Sequence, residues 1–227
     1  MAIASDDVNG ASLDFNNAAG LVADPITVMG WIRWRADTGN TTLSVWDGST
    51  NRCYRMSAAT GPTNMRSRIS TDGANQLSTS SNTAITIGAW NHMALMYDGT
   101  DLEFWLNGVQ DATNVQAGGL FASTGRFAIG GQHGGANTCD ADHADVRVYS
   151  RLLSPAEMQT IYAAKGHDGI VNSLELRAPL NEASLGTLVS ATNPVDIGPS
   201  KIGYFGQFGT PVPSYVQDGG LSFRKRV

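Results

Sequence analysis

The chain has 227 residues, of which 20 are acidic and 15 are basic, so its formal net charge is −5 at pH 7. Charged residues make up 15% and glycines number 26; soluble proteins average about 25% charged residues, so this composition favours a turn-dense β fold over a charged helical one. The one basic run is residues 224–226. Because the sequence has no longer basic stripe of the kind that binds phosphates, nucleic acid is excluded as a main partner. No apolar run approaches the roughly 18 residues of a membrane span.

The N-terminus and the cysteines indicate where the protein folds. Residues 1–15 contain neither a basic stretch nor an apolar stretch of the kind found in a secretory signal peptide, so export is not predicted. Cys53 and Cys139 are far apart in the sequence, and we expect both thiols to remain reduced. The sequence therefore predicts a protein made and folded in a cytoplasm.

Short alternating segments begin near the N-terminus. Residues 27–35 (TVMGWIRWR) alternate with a period of two, which predicts a β-strand. Similar segments occupy residues 11–15, 42–46, 52–57 and 66–70, and Asp-Gly turn dipeptides follow several of them.

Residues 90–110 (WNHMALMYDGTDLEFWLNGVQ) contain two turn signals close together. Asp98-Gly99 and Asn107-Gly108 are dipeptides that accept the positive φ of tight hairpin turns. The segments between the turns are too short for helices. They predict a three-stranded antiparallel meander.

Two more strands are predicted at residues 126–129 (RFAI) and 144–149 (ADVRVY). Many short strands, separated by turn signals at intervals of about 8–12 residues, indicate an all-β sandwich or jelly roll of two antiparallel sheets.

One short helix is predicted after the last of these strands. Ser154 is the N-cap, Pro155 occupies the first helical position, and Glu157 completes a capping box. Gly166 can close the helix, which we expect to pack on the edge of the sandwich.

The composition changes after His167. Residues 172–227 are rich in Pro, Gly, Ser and Asn, and they are too weakly patterned to form a core of their own. We therefore divide the chain into a sandwich at residues 1–167 and a C-terminal extension at residues 168–227, packed on the sandwich or on a neighbouring subunit. A homo-oligomer, with a trimer favoured, is the corresponding prediction.

The order of motifs resembles the laminin-G-like, concanavalin A-like jelly-roll domains. The resemblance is carried by WNHMALMYDGTDLEFWLNGV, FAIGGQ and DVRVYSRLLSPAEMQTIY, and it covers roughly residues 11–165. It implies that Trp90, His92 and Tyr97 are scaffold residues. The family has two acids just before the last strand, whereas this chain keeps Asp145 and has Ala144 in place of the other.

The C-terminal extension has a second resemblance. LRAPL at residues 176–180 and LSFRKRV at residues 221–227 resemble the C-termini of laminin-G-like proteins encoded in tailed-phage structural gene clusters. This resemblance implies partners among phage capsid or tail proteins.

Catalysis is not predicted. Retaining glycosidases need two carboxylates about 5–5.5 Å apart. On a strand this requires acids at alternating positions, as in an E-x-D-x-E pattern, and the sequence contains no such pattern. Glu103 is the one glutamate before the predicted helix, and a lone glutamate on a meander strand usually faces solvent. Neither a nucleophile elbow nor a phosphate-binding loop is present.

A calcium site is a candidate at an acidic loop. Asp140, Asp142 and Asp145 lie within seven residues, and calcium takes oxygen ligands that loops at the rim of a sandwich can supply. The alternative is a solvated loop whose aspartates cap turns. Zinc held by Cys139 and His143 is the weaker alternative, because a second cysteine is not nearby. No other cofactor is predicted.

A sugar site would need an exposed aromatic ring with polar neighbours. Most tryptophans on alternating strands face the core. Trp46 lies beside the Asp47-Gly48 turn and is the best candidate at the rim, with Asp47 and Asn51 as hydrogen-bonding partners.

These observations favour a non-enzymatic structural or adhesion protein of a tailed-phage virion, such as a capsid decoration protein, made in the host cytoplasm. The alternative is a carbohydrate-binding module, for which an extracellular location is expected. A glycan-active enzyme is a third and weaker alternative.

Overall fold

The computed structural model describes residues 3–5, 12–36, 40–58, 64–180, 189–191 and 221–223. Two antiparallel sheets pack face to face, which confirms the predicted all-β, concanavalin A-like jelly-roll sandwich. The strands are β1 (Ile3–Ser5), β2 (Leu13–Phe15), β3 (Ile26–Trp34), β4 (Thr41–Asp47), β5 (Asn51–Ala58), β6 (Met65–Ile69), β7 (Leu77–Ser80), β8 (Asn91–Tyr97), β9 (Asp101–Leu106), β10 (Val109–Val115), β11 (Phe127–Ile129), β12 (Ala141–Tyr149), β13 (Leu174–Ala178), β14 (Val189–Ala191) and β15 (Leu221–Phe223).

The seven-stranded sheet has the order β1-β12-β3-β8-β9-β10, and β13 pairs with β12 on the same side as β1. The six-stranded sheet has the order β2-β11-β4-β5-β6-β7. Strands β14 and β15 pair with each other. Strands β4 to β7 and β8 to β10 pair in chain order, whereas β12 with β3, β3 with β8, and β11 with β2 and β4 pair across long stretches of sequence, as in a jelly roll.

The main core lies between the two large sheets. Alternate residues of each strand point into it, which is why Trp34 belongs to this core while Trp31 belongs to a separate cluster with Ala144 on the outer face of the seven-stranded sheet. The two tryptophans therefore have the opposite orientations that their spacing predicts. Large side chains that are fully buried in the main core include Phe15, Ile26, Ile32, Tyr54, Phe104 and Phe127.

The predicted meander is confirmed as β8, β9 and β10. Asn107 and Gly108 have φ values of 52° and 80°, and this pair of positive values is what a two-residue hairpin turn with the right twist requires. At the other turn, the Asp98 carboxylate accepts hydrogen bonds from the backbone N–H groups of Thr100 and Asp101.

Helix α1 (Pro155–Ala164) begins as the sequence predicts. The Ser154 hydroxyl accepts a hydrogen bond from the Glu157 N–H, and the Glu157 carboxylate accepts one from the Ser154 N–H. The helix packs on the outer face of the seven-stranded sheet rather than on the edge of the sandwich: Met158 and Ile161 join a second core. Its sheet residues are Met29, Ala94, Met96, Trp105 and Tyr149. Within the described part of the chain, no helix has the length and apolarity needed to cross a membrane.

The sandwich continues past residue 167. Strand β13 pairs with β12 along Val146–Ala178 and Arg147–Arg177, and Leu176 and Ala178 are fully buried in the main core. This part of the predicted C-terminal extension therefore belongs to the seven-stranded sheet. Most of the extension beyond Leu180, including the part expected to contact other subunits, lies outside the described residues.

Candidate functional site

The outer face of the six-stranded sheet carries polar side chains in cross-strand rows. Ser44 on β4 is opposite Arg55 on β5, Arg55 is opposite Arg68 on β6, and Arg68 is opposite Ser78 on β7. Directly opposed residues of an antiparallel sheet share a face, so these four side chains form one row. The 3-10 helix His133–Gly135 contacts β4, and the buried Ser44 hydroxyl donates a hydrogen bond to the Gly131 carbonyl, so the accessible part of this face lies on β5, β6 and β7.

A second row runs parallel to the first. Ser57 on β5 is opposite Arg66 on β6, which in turn is opposite Ser80 on β7. Arg66 and Arg68 are two residues apart on one strand and therefore point to the same side. Guanidinium groups thus lie beside the Ser78 and Ser80 hydroxyls on this surface, and both kinds of group can hydrogen-bond to a ligand, whereas the Ser44 and Ser57 hydroxyls are buried.

Trp46 also lies on this outer face, opposite Arg52. The sequence predicted an indole exposed at the rim, but Trp46 is only 2% exposed. The guanidinium carbons of Arg52 and Arg55 lie 5.3 and 4.8 Å from the centre of its ring, a cation–π arrangement. The indole therefore supports two arginines and does not offer a free stacking surface.

Asp47 and Asn51, the predicted polar partners of Trp46, face each other across the end of the β4–β5 hairpin. The Asn51 side-chain oxygen accepts hydrogen bonds from the Ser123 hydroxyl and the Thr124 N–H. Asn51 thus anchors a neighbouring loop. Trp46, Asp47 and Asn51 therefore lie near one another at the end of this hairpin. The indole ring is covered, however, and the Asn51 amide already makes hydrogen bonds within the protein.

Arg52, Arg55, Arg66 and Arg68 form a surface that we call the arginine face. The sequence does not predict this surface, because the four residues are spread over β5 and β6 and become neighbours only through the pairing of these strands. The alternation of arginine with small or apolar residues at residues 65–69 (MRSRI) was a local signal that β6 would present its arginines on one side.

The charges of the arginine face affect one another. Burial, together with the charges of Arg52 and Arg66, lowers the pKa of Arg55 to about 10. Burial, together with the charges of Arg55 and Arg66, lowers the pKa of Arg68 to about 10. Both guanidinium groups remain protonated at pH 7, so the surface is cationic although the whole chain has a net charge of −5.

The three aspartates of the predicted calcium site do not converge. Asp140 pairs with Arg35 at 2.5 Å, and Asp142 pairs with Arg33 at 2.6 Å and with Arg35 at 2.7 Å. Asp145 belongs to a separate buried cluster. Across the described residues, no group of three or more His, Cys, Asp or Glu side chains is placed to hold a metal ion.

The reason is that β12 is a strand and not a loop. Successive side chains of a strand point to opposite faces, and each carboxylate meets an arginine on its own side. A calcium requirement stays a prediction, which chelation tests: if calcium binds the folded protein, a chelator should lower the melting temperature, and added calcium should restore it.

Asp145 lies in a bulge of β12 and has φ 44°. Its carboxylate pairs with Arg147 at 2.6 Å and with Arg177 at 2.9 Å, and Arg147 also pairs with Asp168 at 2.7 Å. Burial alone would raise the pKa of Asp145, but the charges and hydrogen bonds of Arg147 and Arg177 outweigh it and hold the pKa below its ordinary value. This cluster ties the segment after α1 to the sheet.

Cys139 and His143, the weaker metal candidates, lie together in a buried cluster. The Cys139 Sγ atom is 3.9 Å from His143 Nε2, which is hydrogen-bonded to the Thr42 hydroxyl at 2.8 Å. Burial raises the pKa of Cys139 to about 12, so its sulfur is a thiol at neutral pH and a poor metal ligand. The Ser5 hydroxyl donates a hydrogen bond to the Cys139 carbonyl.

Glu103, the one glutamate of the meander, accepts a hydrogen bond from the Trp105 indole N–H at 2.6 Å. It lies on the outer face of the seven-stranded sheet, where Trp105 packs with α1. This contact explains the glutamate without a catalytic role.

Comparison with known families and structures agrees with this architecture. Residues 7–159 match the model of a family described as the concanavalin A-like lectin/glucanases superfamily. No curated protein sequence matches the chain.

Solved structures share the fold at low sequence identity. A Bacteroides ovatus protein for which carbohydrate binding has been suggested superposes with a TM-score of 0.65 at 17% identity, over 84% of this chain and 54% of that protein. The SAP-like pentraxin of Limulus polyphemus superposes with a TM-score of 0.54 at 16% identity, over 85% of this chain and 87% of the pentraxin.

A third structure is the CBM40 domain of the IT-sialidase of Ruminococcus gnavus, bound to alpha2,3 sialyllactose. It superposes with a TM-score of 0.54 at 17% identity, over 67% of this chain and 94% of that domain. This chain spans little more than half of the Bacteroides ovatus protein, so a longer protein can carry such a sandwich as one of its parts.

Proposed function

The chain belongs to the concanavalin A-like lectin/glucanases superfamily, and from that premise we propose that it is a non-enzymatic carbohydrate-binding domain. The ligand would lie across the outer face of the six-stranded sheet. Of the structural neighbours, the CBM40 domain binds alpha2,3 sialyllactose, and carbohydrate binding has been suggested for the Bacteroides ovatus protein.

One observation carries the proposal: accessible hydrogen-bonding side chains lie in two cross-strand rows on three neighbouring strands, namely Arg55 on β5, Arg66 and Arg68 on β6, and Ser78 and Ser80 on β7. The accessible part of the first row, from Arg55 to Ser78, spans two inter-strand spacings, or about 10 Å at about 4.8 Å per spacing. Specific recognition of a polar ligand depends on a few well-placed polar groups on a rigid scaffold. A sheet supplies that rigidity.

Affinity electrophoresis of the purified protein through gels with soluble polysaccharides tests the function. We expect at least one of a panel of arabinan, galactan, β-glucan, polygalacturonate and dextran sulfate to retard the protein. Unretarded migration through every polysaccharide of the panel would contradict the proposal.

Nuclear magnetic resonance of the isotope-labelled protein then locates the surface. Titration with the binding polysaccharide, shortened to oligosaccharides, should shift backbone amide signals of β4, β5, β6 and β7. Signals of α1 on the opposite side of the sandwich serve as the internal control and should not move. Shifts confined to α1 would show that the ligand binds elsewhere.

The virion role, the phage partners and the homo-oligomer stay predictions. They rest on the C-terminal extension, most of which lies outside the described residues. A carbohydrate-binding function is compatible with an adhesion role on any surface.

A further inference from the structure

The arginine face lacks the counter-ions that other arginines of this protein have. Within the described residues, Arg52, Arg55, Arg66 and Arg68 form no ion pair. Arginines elsewhere are paired with carboxylates, namely Arg33, Arg35, Arg147, Arg151 and Arg177. Among the described residues, the carboxylates that pair with these arginines therefore lie away from the arginine face, and Asp14, which is in the cross-strand row of Arg55, pairs with His133.

The arrangement works against stability. Arg55 and Arg68 are directly opposed on neighbouring strands, and like charges in such a pair are destabilising. The Arg55 Nε–H group is buried without a hydrogen-bond acceptor in the described part of the structure, which costs desolvation energy. The lowered pKa values of Arg55 and Arg68 have the same cause. Local features that cost stability point to function.

The neutral contacts of the four arginines hold them in place without cancelling their charge. Arg52 donates hydrogen bonds to the carbonyls of Gly48 and Ala74, and Arg68 donates one to the Ser57 hydroxyl. Trp46 supports Arg52 and Arg55 from below. The guanidinium groups are therefore positioned before any ligand arrives, which lowers the entropy lost on binding.

We propose that the arginine face binds an acidic glycan through the carboxylate or sulfate groups of its sugars. This inference rests on the proposed carbohydrate-binding function and specifies its ligand. Guanidinium groups match planar or tetrahedral oxyanions with paired hydrogen bonds. The hydroxyls of Ser78 and Ser80 lie in the same rows and can bond to sugar hydroxyls.

The spacing suits charges that repeat along a sugar chain. Arg55 and Arg68 are on adjacent strands, about 4.8 Å apart, and Arg66 and Arg68 are two residues apart on one strand, about 6.8 Å. Duplex DNA carries one charge per roughly 1.7 Å, and the acidic remainder of the chain would repel so dense a polyanion. Single-stranded nucleic acid binds by stacking on aromatic rings, whereas the Trp46 ring is covered.

Isothermal titration with three polymers of similar length tests the proposal. Polygalacturonate presents carboxylates, dextran sulfate presents sulfates, and dextran is neutral. We expect at least one acidic polymer to bind at least roughly tenfold more tightly than dextran, with the affinity falling as salt is added. The polymer that binds more tightly identifies the preferred oxyanion.

Variants of one arginine separate function from folding. Arg68→Gln should weaken binding of the acidic polymer by roughly tenfold or more. Its melting temperature should stay unchanged or rise, because repulsion by Arg55 and Arg66 is relieved. Arg66→Gln should behave in the same way and keeps the proposal testable if Arg68→Gln does not fold.

Lys165→Gln is the matched control, because it removes the same charge from an exposed position at the end of α1. It should leave binding unchanged. Arg68→Lys keeps the charge but not the paired donors, and an intermediate loss of affinity is expected.

Three results would overturn the inference. Dextran or another neutral glycan binding as tightly as the acidic polymers, with Arg68→Gln unaffected, would leave the carbohydrate-binding function standing but not its acidic ligand. Equal binding of duplex DNA would show unselective attraction to polyanions. A protein that binds no glycan at all would contradict both proposals.

Discussion

At the scale of single residues, Asp145 is a buried carboxylate with a structural role. It is 6% exposed and holds two buried arginines, Arg147 and Arg177. Removing one partner from a buried ion pair leaves an uncompensated charge, which typically costs about 3–5 kcal/mol. Its positive φ adds a constraint that asparagine tolerates and alanine does not.

We therefore predict that Asp145→Asn lowers the free energy of unfolding by about 3–5 kcal/mol. Asp140→Asn is the control, because the Asp140–Arg35 pair is partly exposed, with side-chain exposures of 27% and 29%, and exposed pairs contribute about 0–1 kcal/mol. Urea denaturation measures both values. Similar losses for the two variants would show that burial does not set the strength of these pairs.

Trp46 is the second residue whose environment decides its role. Each cation–π contact of a desolvated arginine contributes about 0.5–2 kcal/mol, and Trp46 makes two. Trp46→Ala should therefore lower the free energy of unfolding by about 1–4 kcal/mol and weaken glycan binding by releasing both arginines. Trp46→Phe keeps an aromatic ring and should lose less of each. Binding abolished in Trp46→Ala without any loss of stability would instead indicate direct stacking of a sugar on the indole.

The sequence could predict that Trp46 and Val45 point to opposite faces, but not what lies over the indole. Strand alternation is local, whereas Arg52 and Arg55 reach the ring across a strand pair that contains a register shift. The aspartates of β12 show the same limit of prediction. Their spacing can be read from the sequence, but their pairing with arginines such as Arg33 on β3 depends on which strands are neighbours.

At the scale of elements, the N-terminal cap of α1 combines the Ser154–Glu157 capping box with an ion pair between Glu157 and Arg151. Hydrogen bonds from Arg151 and Ser154 outweigh partial burial and lower the pKa of Glu157 from 4.5 to about 2. Because the pKa of this carboxylate is lower in the folded state than in the unfolded state, its charge stabilises the fold fully above pH 4.5. This contribution is lost as the pH falls toward 2.

Glu157→Gln tests this contribution, because glutamine can still complete a capping box. At pH 7 the variant should be less stable by about 0.5–1 kcal/mol, the strength of a partly exposed ion pair. The difference should shrink as the pH falls from 4.5 toward 2. Urea denaturation of both proteins at several pH values measures it, and a difference independent of pH would contradict the assigned role of the charge.

Elements with local signals were the ones that the sequence could predict. The Asn107-Gly108 turn and the Ser154–Glu157 capping box are each written in a few consecutive residues. The arginine face depends on the register of β5 against β6, and register is set by the turn and the hydrophobic pattern of the whole sheet. The arginine face therefore could not be predicted from single segments of the sequence.

At the scale of the whole molecule, the last described strand of the sandwich is contributed by residues after the helix. β13 completes the seven-stranded sheet beside β12, and Arg177 supplies a partner to Asp145. The sequence placed this segment in an extension because its composition resembles the residues that follow. Only pairing with β12 reveals that the sandwich needs it.

Two truncations test where the folding unit ends. Removing residues 172–227 deletes β13, exposes core that Leu176 and Ala178 cover, and leaves Asp145 with one arginine fewer. We expect this protein to be destabilised or insoluble, whereas a sandwich that ended at residue 167 would fold without these residues. Removing residues 181–227 keeps every described strand of the two large sheets, and its melting temperature should match that of the full chain.

Size-exclusion chromatography of the shorter truncation then tests the predicted oligomer. If residues 181–227 make the contact between subunits, the full chain should elute as a homo-oligomer and the truncated chain as a folded monomer. Equal melting temperatures for the two truncations would show that β13 contributes nothing to the core. Unchanged assembly without residues 181–227 would place the contact on the sandwich itself.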